Sequence, residues 1–364
     1  MEFKYLYIKI YKIMSRISKK IKISRSSLII LLLAVICLFL VLEIFDLHLI
    51  RKDEGKFAKD HCEEGYSFIN PRFACGYENK IDKKGYSELK SRLNDFIEEK
   101  KDEKKAKIVA VWFRDLEGGP TFGINDREDF IPASLLKLPL VLTFFQLAED
   151  DPQLLKRTIV YSDTTSSVLN QTFIPQDNLV KGTAYTIEDL IFYAIANSDN
   201  MASQLLYEYV KINYKDEPLS QIYRDLGILE PGTDVNMAAV NTKEYGSIFR
   251  MLYNVSFLGR DASEKLLSLL SQSDFQDGLS KGVPGYVNIA HKFGERFLDN
   301  GQKQLHDCGI IYYPDNPYQL CIMTRGSDFN DLSQIIGEVS KEVYLEFDSR
   351  RMPPPGGGGL RVIK

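Results

Sequence analysis

Hydrophobic and polar positions change period several times along the chain. From Leu28 to Leu42 fifteen residues run without a polar side chain, and Ile44, Phe45, Leu47, Leu49 and Ile50 extend the run past Glu43 and Asp46. About 20 apolar residues cross the hydrocarbon core of a bilayer, so residues 28–50 are expected to form one transmembrane anchor. Tyr86, Leu89, Leu93, Phe96 and Ile97 then recur at helical spacing, ahead of a densely charged stretch from Glu98 to Lys107. They predict a helix closing a juxtamembrane segment, residues 51–106. Ile108–Phe113 is a β-branched and aromatic run, and Gly118, Gly119 and Pro120 separate it from a second short strand near Phe122, which is a hairpin pattern. From Ser134 to about Gln272 helical spacing dominates, with loops at Gln176–Gly182 and Leu229–Asp234. Strand signals return at Tyr286–Phe293, Gly309–Tyr313 and Leu320–Thr324, and Leu332–Phe347 predicts a closing helix. Strands at both ends with helices between them predict an α+β domain over residues 107–350: an antiparallel sheet split between the ends of the domain, flanked by helices, with an inserted all-helical subdomain. Residues 351–364, rich in Pro and Gly, are expected to be a disordered tail.

Charge adds an orientation. Residues 1–27 hold eight Lys and Arg against one acid, whereas the whole chain of 364 residues has 46 basic and 50 acidic side chains. A basic head ahead of an apolar span stays in the cytoplasm, which places everything after residue 50 outside. The span is long for a cleaved signal peptide, and no small-x-small site follows it. The acidic body repels phosphate backbones, so no nucleic-acid partner is expected. With 4 His and no Cys-x-x-Cys pair, no metal site is expected either. An oxidising exterior would let Cys62 and Cys75 pair. Cys308 and Cys321 flank a turn at Pro314–Pro317, and a hairpin symmetric about that turn sets them diagonally, about 7–8 Å apart, too far for a disulfide.

Three short motifs carry candidate chemistry. Ser134 and Lys137 form Ser-x-x-Lys straight after Pro132, at the start of a predicted helix. Residues three apart share a face, so the amine can reach the hydroxyl and take its proton, and free N–H groups at the helix start favour the charge that develops on attack. The bland alternative is an N-cap serine beside a solvated lysine. Ser198, Asp199 and Asn200 break two apolar helical segments, and alone they read as a helix connection. His291, Lys292, Phe293 and Gly294 end a strand signal, where a lysine supplies positive charge and a glycine lets backbone approach a ligand.

The order and spacing of the three motifs resemble those of class A β-lactamases and penicillin-binding proteins, over roughly Lys107 to Phe347. That resemblance implies a β-lactamase/transpeptidase-like fold and acyl transfer through a serine ester. It makes Ser134 the nucleophile, Lys137 its proton acceptor, Ser198 a proton relay and Lys292 an electrostatic partner. Asn200 would hold the substrate amide, Gly294 would allow close approach, and the N–H groups of Ser134 and Glu295 would form the oxyanion hole. No cofactor is implied and no obligate protein partner is expected; the substrate would be a small β-lactam or a cell-wall peptide.

Two departures bear on the substrate. Phe293 stands where the family pattern has Thr or Ser, removing a hydroxyl that helps bind a carboxylate. Leu229–Thr242, where class A enzymes carry a deacylating glutamate, is short and offers Glu230 as candidate base. Three functions follow as expectations: a membrane-anchored serine hydrolase opening β-lactams, a D-Ala-D-Ala carboxypeptidase or transpeptidase, or an inactive binding module that retains the pocket.

Overall fold

The computed structural model describes residues 66–70, 85–117, 119–162, 171–175, 177–228, 230 and 239–351. The expected head, span, Cys62–Cys75 pairing and tail beyond residue 351 lie outside the described residues. Among the described residues no helix is long and apolar enough to cross a membrane.

In chain order, α1 (Ser87–Asp102) leads into the hairpin β1 (Ile108–Asp115) and β2 (Thr121–Ile124). A 3-10 turn, Ala133–Leu136, opens α2 (Lys137–Asp150), and two three-residue strands follow, β3 (Thr158–Val160) and β4 (Ala184–Thr186). Next come α3 (Ile187–Ile195), α4 (Asn200–Tyr214), α5 (Glu217–Leu226), α6 (Thr242–Tyr253) and α7 (Arg260–Leu270). The chain ends with β5 (Ile289–Phe297), β6 (Lys303–Ile311), β7 (Tyr318–Gly326) and α8 (Phe329–Arg351).

The sheet order is β2-β1-β7-β6-β5, with every neighbouring pair antiparallel. The N-terminal hairpin therefore joins the C-terminal strands through β1 and β7, as the split-sheet reading expects. Period-two alternation sorts the strands' side chains onto two cores. Val109, Val111, Phe113, Leu305, Leu320 and Ile322 pack with Leu89 and Leu93 of α1 and Leu332, Ile336 and Val343 of α8. Ala110, Trp112, Ala290, Cys308, Ile310 and Met323 face the helices α2, α3, α4 and α6. With both faces covered, β1 reads in the sequence as a continuous apolar run.

The structure corrects three expectations. β3 and β4 pair inside the stretch expected to be helical, and strands this short are hidden among long helical patterns. β6 begins six residues before the signal at Gly309, because Gln304, His306 and Asp307 are fully buried polar residues that interrupt the apolar pattern. Each is hydrogen-bonded inside: Gln304 Oε1 accepts from Ile131 N at 3.1 Å, His306 Nε2 lies 3.1 Å from Ile131 O, and Asp307 Oδ2 accepts from Leu279 N at 2.8 Å.

The third correction concerns Cys308 and Cys321, which form a disulfide with Cα atoms 3.9 Å apart. They are direct partners in the β6–β7 register. The expected offset assumed a turn centred between Pro314 and Pro317. The observed turn closes from Asn316 N to Tyr313 O, with Pro314 second and Asp315 third at φ 62°. Pro at the second position and positive φ at the third favour this tight turn, which moves the register and brings the cysteines opposite each other.

Candidate active site

The turn that carries Ser134 is built by three constraints. Ala133, at φ 51°, takes a left-handed conformation rare for a residue with a Cβ. Leu135 N donates to Pro132 O at 3.0 Å, and Leu135 O accepts from the buried Tyr245 hydroxyl at 3.0 Å. The turn is 3-10 rather than α, so residues three apart are nearly eclipsed, and Ser134 stands over Lys137 more directly than on an α-helix.

Ser198 is presented by a second tight turn between α3 and α4. It too is left-handed, at φ 54°. Asp199 fixes the turn on both sides: its N–H donates to Tyr193 O at 2.9 Å, and its carboxylate caps α4 by accepting from Ala202 N at 2.7 Å. Lys137 Nζ donates to Ser198 O, to Ser198 Oγ at 3.2 Å and to Asn200 Oδ1 at 2.8 Å.

The third element is β5, an edge strand of the sheet. Lys292, 1 % exposed, donates to Ser198 Oγ at 2.8 Å and to Phe293 O at 3.0 Å. Two amines 155 positions apart in the chain thus share one serine hydroxyl. A Cβ on Gly294 would come within 2.8 Å of Pro132 O and 3.2 Å of Leu135 N, so glycine lets the strand backbone lie against the turn that carries Ser134. Under Lys292, His291 Nδ1 lies 2.8 Å from Asp307 Oδ1, both buried.

Burial sets the electrostatics. The Lys137 amine is surrounded by protein and its pKa falls to about 7, although Asp199 and Glu295 pull it up. Lys292 is pushed well below the ordinary lysine range, first by burial and then by Lys137. The oxygens that bond these amines are carbonyl, hydroxyl and amide oxygens, not carboxylates. They orient the amines without restoring the charge that desolvation disfavours. Lys137 is therefore held close to the midpoint between its charged and neutral forms at neutral pH.

The Phe293 ring lies under the Lys292 amine, 4.5 Å from its centroid, and joins an aromatic group, stacked on Phe275 at a centroid distance of 3.9 Å and edge-on to Phe173 at 6.1 Å. The Glu295 side chain, whose role the sequence did not suggest, reaches a neighbouring loop. Its carboxylate accepts from Thr172 N at 3.0 Å and Phe173 N at 3.1 Å. Burial raises its pKa against those N–H groups and Lys137. Its place directly after Lys-x-Gly was the available signal, since an acid there needs a partner. Glu230 is exposed and accepts from Ser220 Oγ at 2.5 Å, on α5. The structure thus gathers Lys137, Ser198, Asn200 and Lys292 and sets Gly294 against the turn that holds Ser134, while Glu230 is engaged elsewhere.

The sequence profile of the β-lactamase enzyme family matches residues 88–347. A β-lactamase of Bacteroides uniformis is 26% identical over 277 residues, 71% of this chain and 90% of the relative. The extended-spectrum β-lactamase PER-1 of Pseudomonas aeruginosa is 26% identical over 270 residues, 68% of this chain and 85% of the relative. Among solved structures, the TLA-3 extended-spectrum β-lactamase superposes with a TM-score of 0.62 at 18% identity, over 72% of this chain and 99% of that one.

Proposed function

Because the chain belongs to the β-lactamase enzyme family, we propose that it opens β-lactam rings through an acyl-enzyme on Ser134. The observation that carries this reading is the buried Lys137 amine, held against Ser198 and Asn200 one 3-10 turn from Ser134. Neutral Lys137 takes the Ser134 proton as Oγ bonds to the lactam carbonyl carbon. When the ring C–N bond breaks, a proton passes from Lys137 through Ser198 Oγ to the leaving nitrogen. Lys292, bonded to the same hydroxyl, steadies the charge on that relay. The N–H groups of Ser134 and Glu295 would receive the oxyanion, a reading supported by the close approach of Gly294 to Pro132 and Leu135 on either side of Ser134.

Incubation with a labelled penicillin followed by intact-protein mass measurement tests this. An adduct on Ser134 is expected, absent from Ser134→Ala and strongly slowed in Lys137→Ala. Absence of any adduct at saturating dose would leave the binding-module reading in place. Wild-type acylation in Lys137→Ala would remove that lysine as the base.

The hydrogen bond between Glu230 and Ser220 favours a second reading, in which no glutamate at that position drives water onto the ester. The adduct would then persist, as suits a wall-peptide carboxypeptidase or a β-lactam trap. Losing one positioned base typically slows a step by about 10²–10⁴. Rapid turnover that Glu230→Gln abolishes would exclude this reading.

We also infer that the domain is anchored outside a cell membrane by residues 28–50. The basic residues 1–27 support that orientation, and the Cys308–Cys321 disulfide favours an oxidising compartment. Proteolysis of intact cells should remove the domain from outside; complete protection would overturn the orientation.

A further inference from the structure

A second cluster of cations lies in a cavity of about 490 Å3 that shares no lining residue with the site around Ser198. Its walls come from β1, the residues just after β2, and the first turns of α6. Arg114, Arg127, Lys243 and Arg250 line it, against two acids, Asp126 and Glu244. The arrangement brings together segments more than 100 residues apart, in a chain whose net charge is −4.

Two properties set these cations apart from an ordinary solvated surface. Among the described residues none of the four has an ion-pair partner, although the two acids line the same cavity. Lys243 and Arg114 instead lie over the ring of Trp112, 5.4 and 5.9 Å from its centroid. Arg114 is half-buried, and burial together with the Arg250 guanidinium lowers its pKa. Like charges held together without a counter-charge disfavour the folded state, and an anion between them would reverse that sign.

The sheet next to Arg114, outside the cavity lining, carries a related signal. Gln319 is the direct partner of Arg114 in the β1–β7 register and is fully buried. Neither of its amide atoms has a hydrogen-bond partner. A Cβ on Gly246 would strike Gln319 Nε2 at 2.2 Å and approach Trp112 at 3.2 Å. Buried polar groups are nearly always satisfied, so an orphaned amide beside an unpaired guanidinium marks a place where a polar group is wanted.

We propose that this cavity binds a compact anion of the phosphate class, with Arg114 and Arg250 as the principal ligands and Lys243 and Arg127 at the rim. Guanidinium groups match phosphate oxygens by paired N–H donors, and the volume admits a pyrophosphate-sized group but not a folded polymer. The anion could be a free phosphate or the headgroup of a lipid.

The chain's one tryptophan is the reporter, because Trp112 lies under two of the cations. Full-length protein is titrated with inorganic pyrophosphate while Trp112 emission is recorded, with calorimetry in parallel. A saturable response is expected, weakened at least about tenfold per guanidinium in Arg114→Gln and Arg250→Gln. Arg250→Lys, which keeps the charge but not the paired donors, should bind more tightly than Arg250→Gln and more weakly than wild type, with circular dichroism confirming that each variant folds. A second arm uses vesicles with and without phosphatidylglycerol: binding to vesicles alone, lost in the same variants, identifies a headgroup as the source. No response by either method, or an equal response in wild type and both Gln variants, overturns the proposal. None of these residues belongs to the Ser134 site, so β-lactam acylation should be unchanged throughout. The proposal therefore fails or stands separately from the proposed enzymatic activity.

Discussion

The two cation clusters of this domain are held in opposite ways. Around Ser198, Lys137 and Lys292 are buried and hydrogen-bonded to neutral oxygens. Beside α6, the guanidiniums of Arg114 and Arg250 are partly or wholly exposed, unpaired and close enough to repel. In the first cluster burial wins over charge, the amines move toward their neutral forms, and a lone pair becomes available for chemistry. In the second, guanidinium cannot shed its proton at physiological pH, so the charge persists, as the proposed anion site requires. The choice of lysine in one place and arginine in the other is what separates the proposed proton acceptor from the proposed charge receptor.

The strongest way to break this contrast is Lys137→Arg, which preserves the charge but removes any usable base. Acylation should fall by about 10²–10⁴, measured as the rate of adduct formation, with folding checked by circular dichroism. A rate within threefold of wild type would show that the residue contributes charge alone. The next largest effect is the pH profile. With the neutral amine as the proposed base and its pKa at about 7, the acylation rate should drop about tenfold per unit below that value and level off above it. A rate flat between pH 5 and 9 would contradict the assignment.

Glu295→Ala offers a smaller effect of a different kind. It strips the Thr172 and Phe173 N–H groups of their acceptor, at a cost of about 1–3 kcal/mol in unfolding stability, readable by denaturant titration. Glu295→Gln, which keeps an acceptor oxygen, should lose less, and equal losses would mean that the charge and not the hydrogen bonds holds the loop. The smallest effect belongs to Lys243→Gln at the rim of the basic cavity, where β-lactam acylation should stay within about twofold of wild type. A larger change would join the two clusters into one functional unit.

Much of the fold was legible because the motifs sit where local chemistry is strong. α3, which begins at Ile187 behind the capping pair Thr186 and Asp189 and ends at Ile195, is the first of the two apolar helical segments expected on either side of Ser198–Asn200. The hairpin of β1 and β2 followed from one β-branched run and a Gly-Gly-Pro turn. The gathering of Lys137, Ser198, Asn200 and Lys292 was expected from motif order, since spacing by itself leaves the three segments unconnected. What escaped the sequence depends on tertiary context. Gln304, His306 and Asp307 look like loop residues until the sheet buries them. The Cys308–Cys321 bridge turns on the position of one tight turn. The Glu295 latch and the basic cavity are set by segments that meet only in three dimensions, and no local pattern marks either.

Ala133 and Ser198 share the left-handed backbone, each at the threshold of a helix and each bearing directly on a serine of the site. For residues with a Cβ that conformation forgoes roughly 1–2 kcal/mol. An engineer seeking a sturdier protein would replace Ala133 with glycine and gain thermal resistance, while loosening the direction in which the Ser134 hydroxyl is aimed. The two turns thus mark where durability has been exchanged for aim, and where a thermostable variant is most prone to be a slow one.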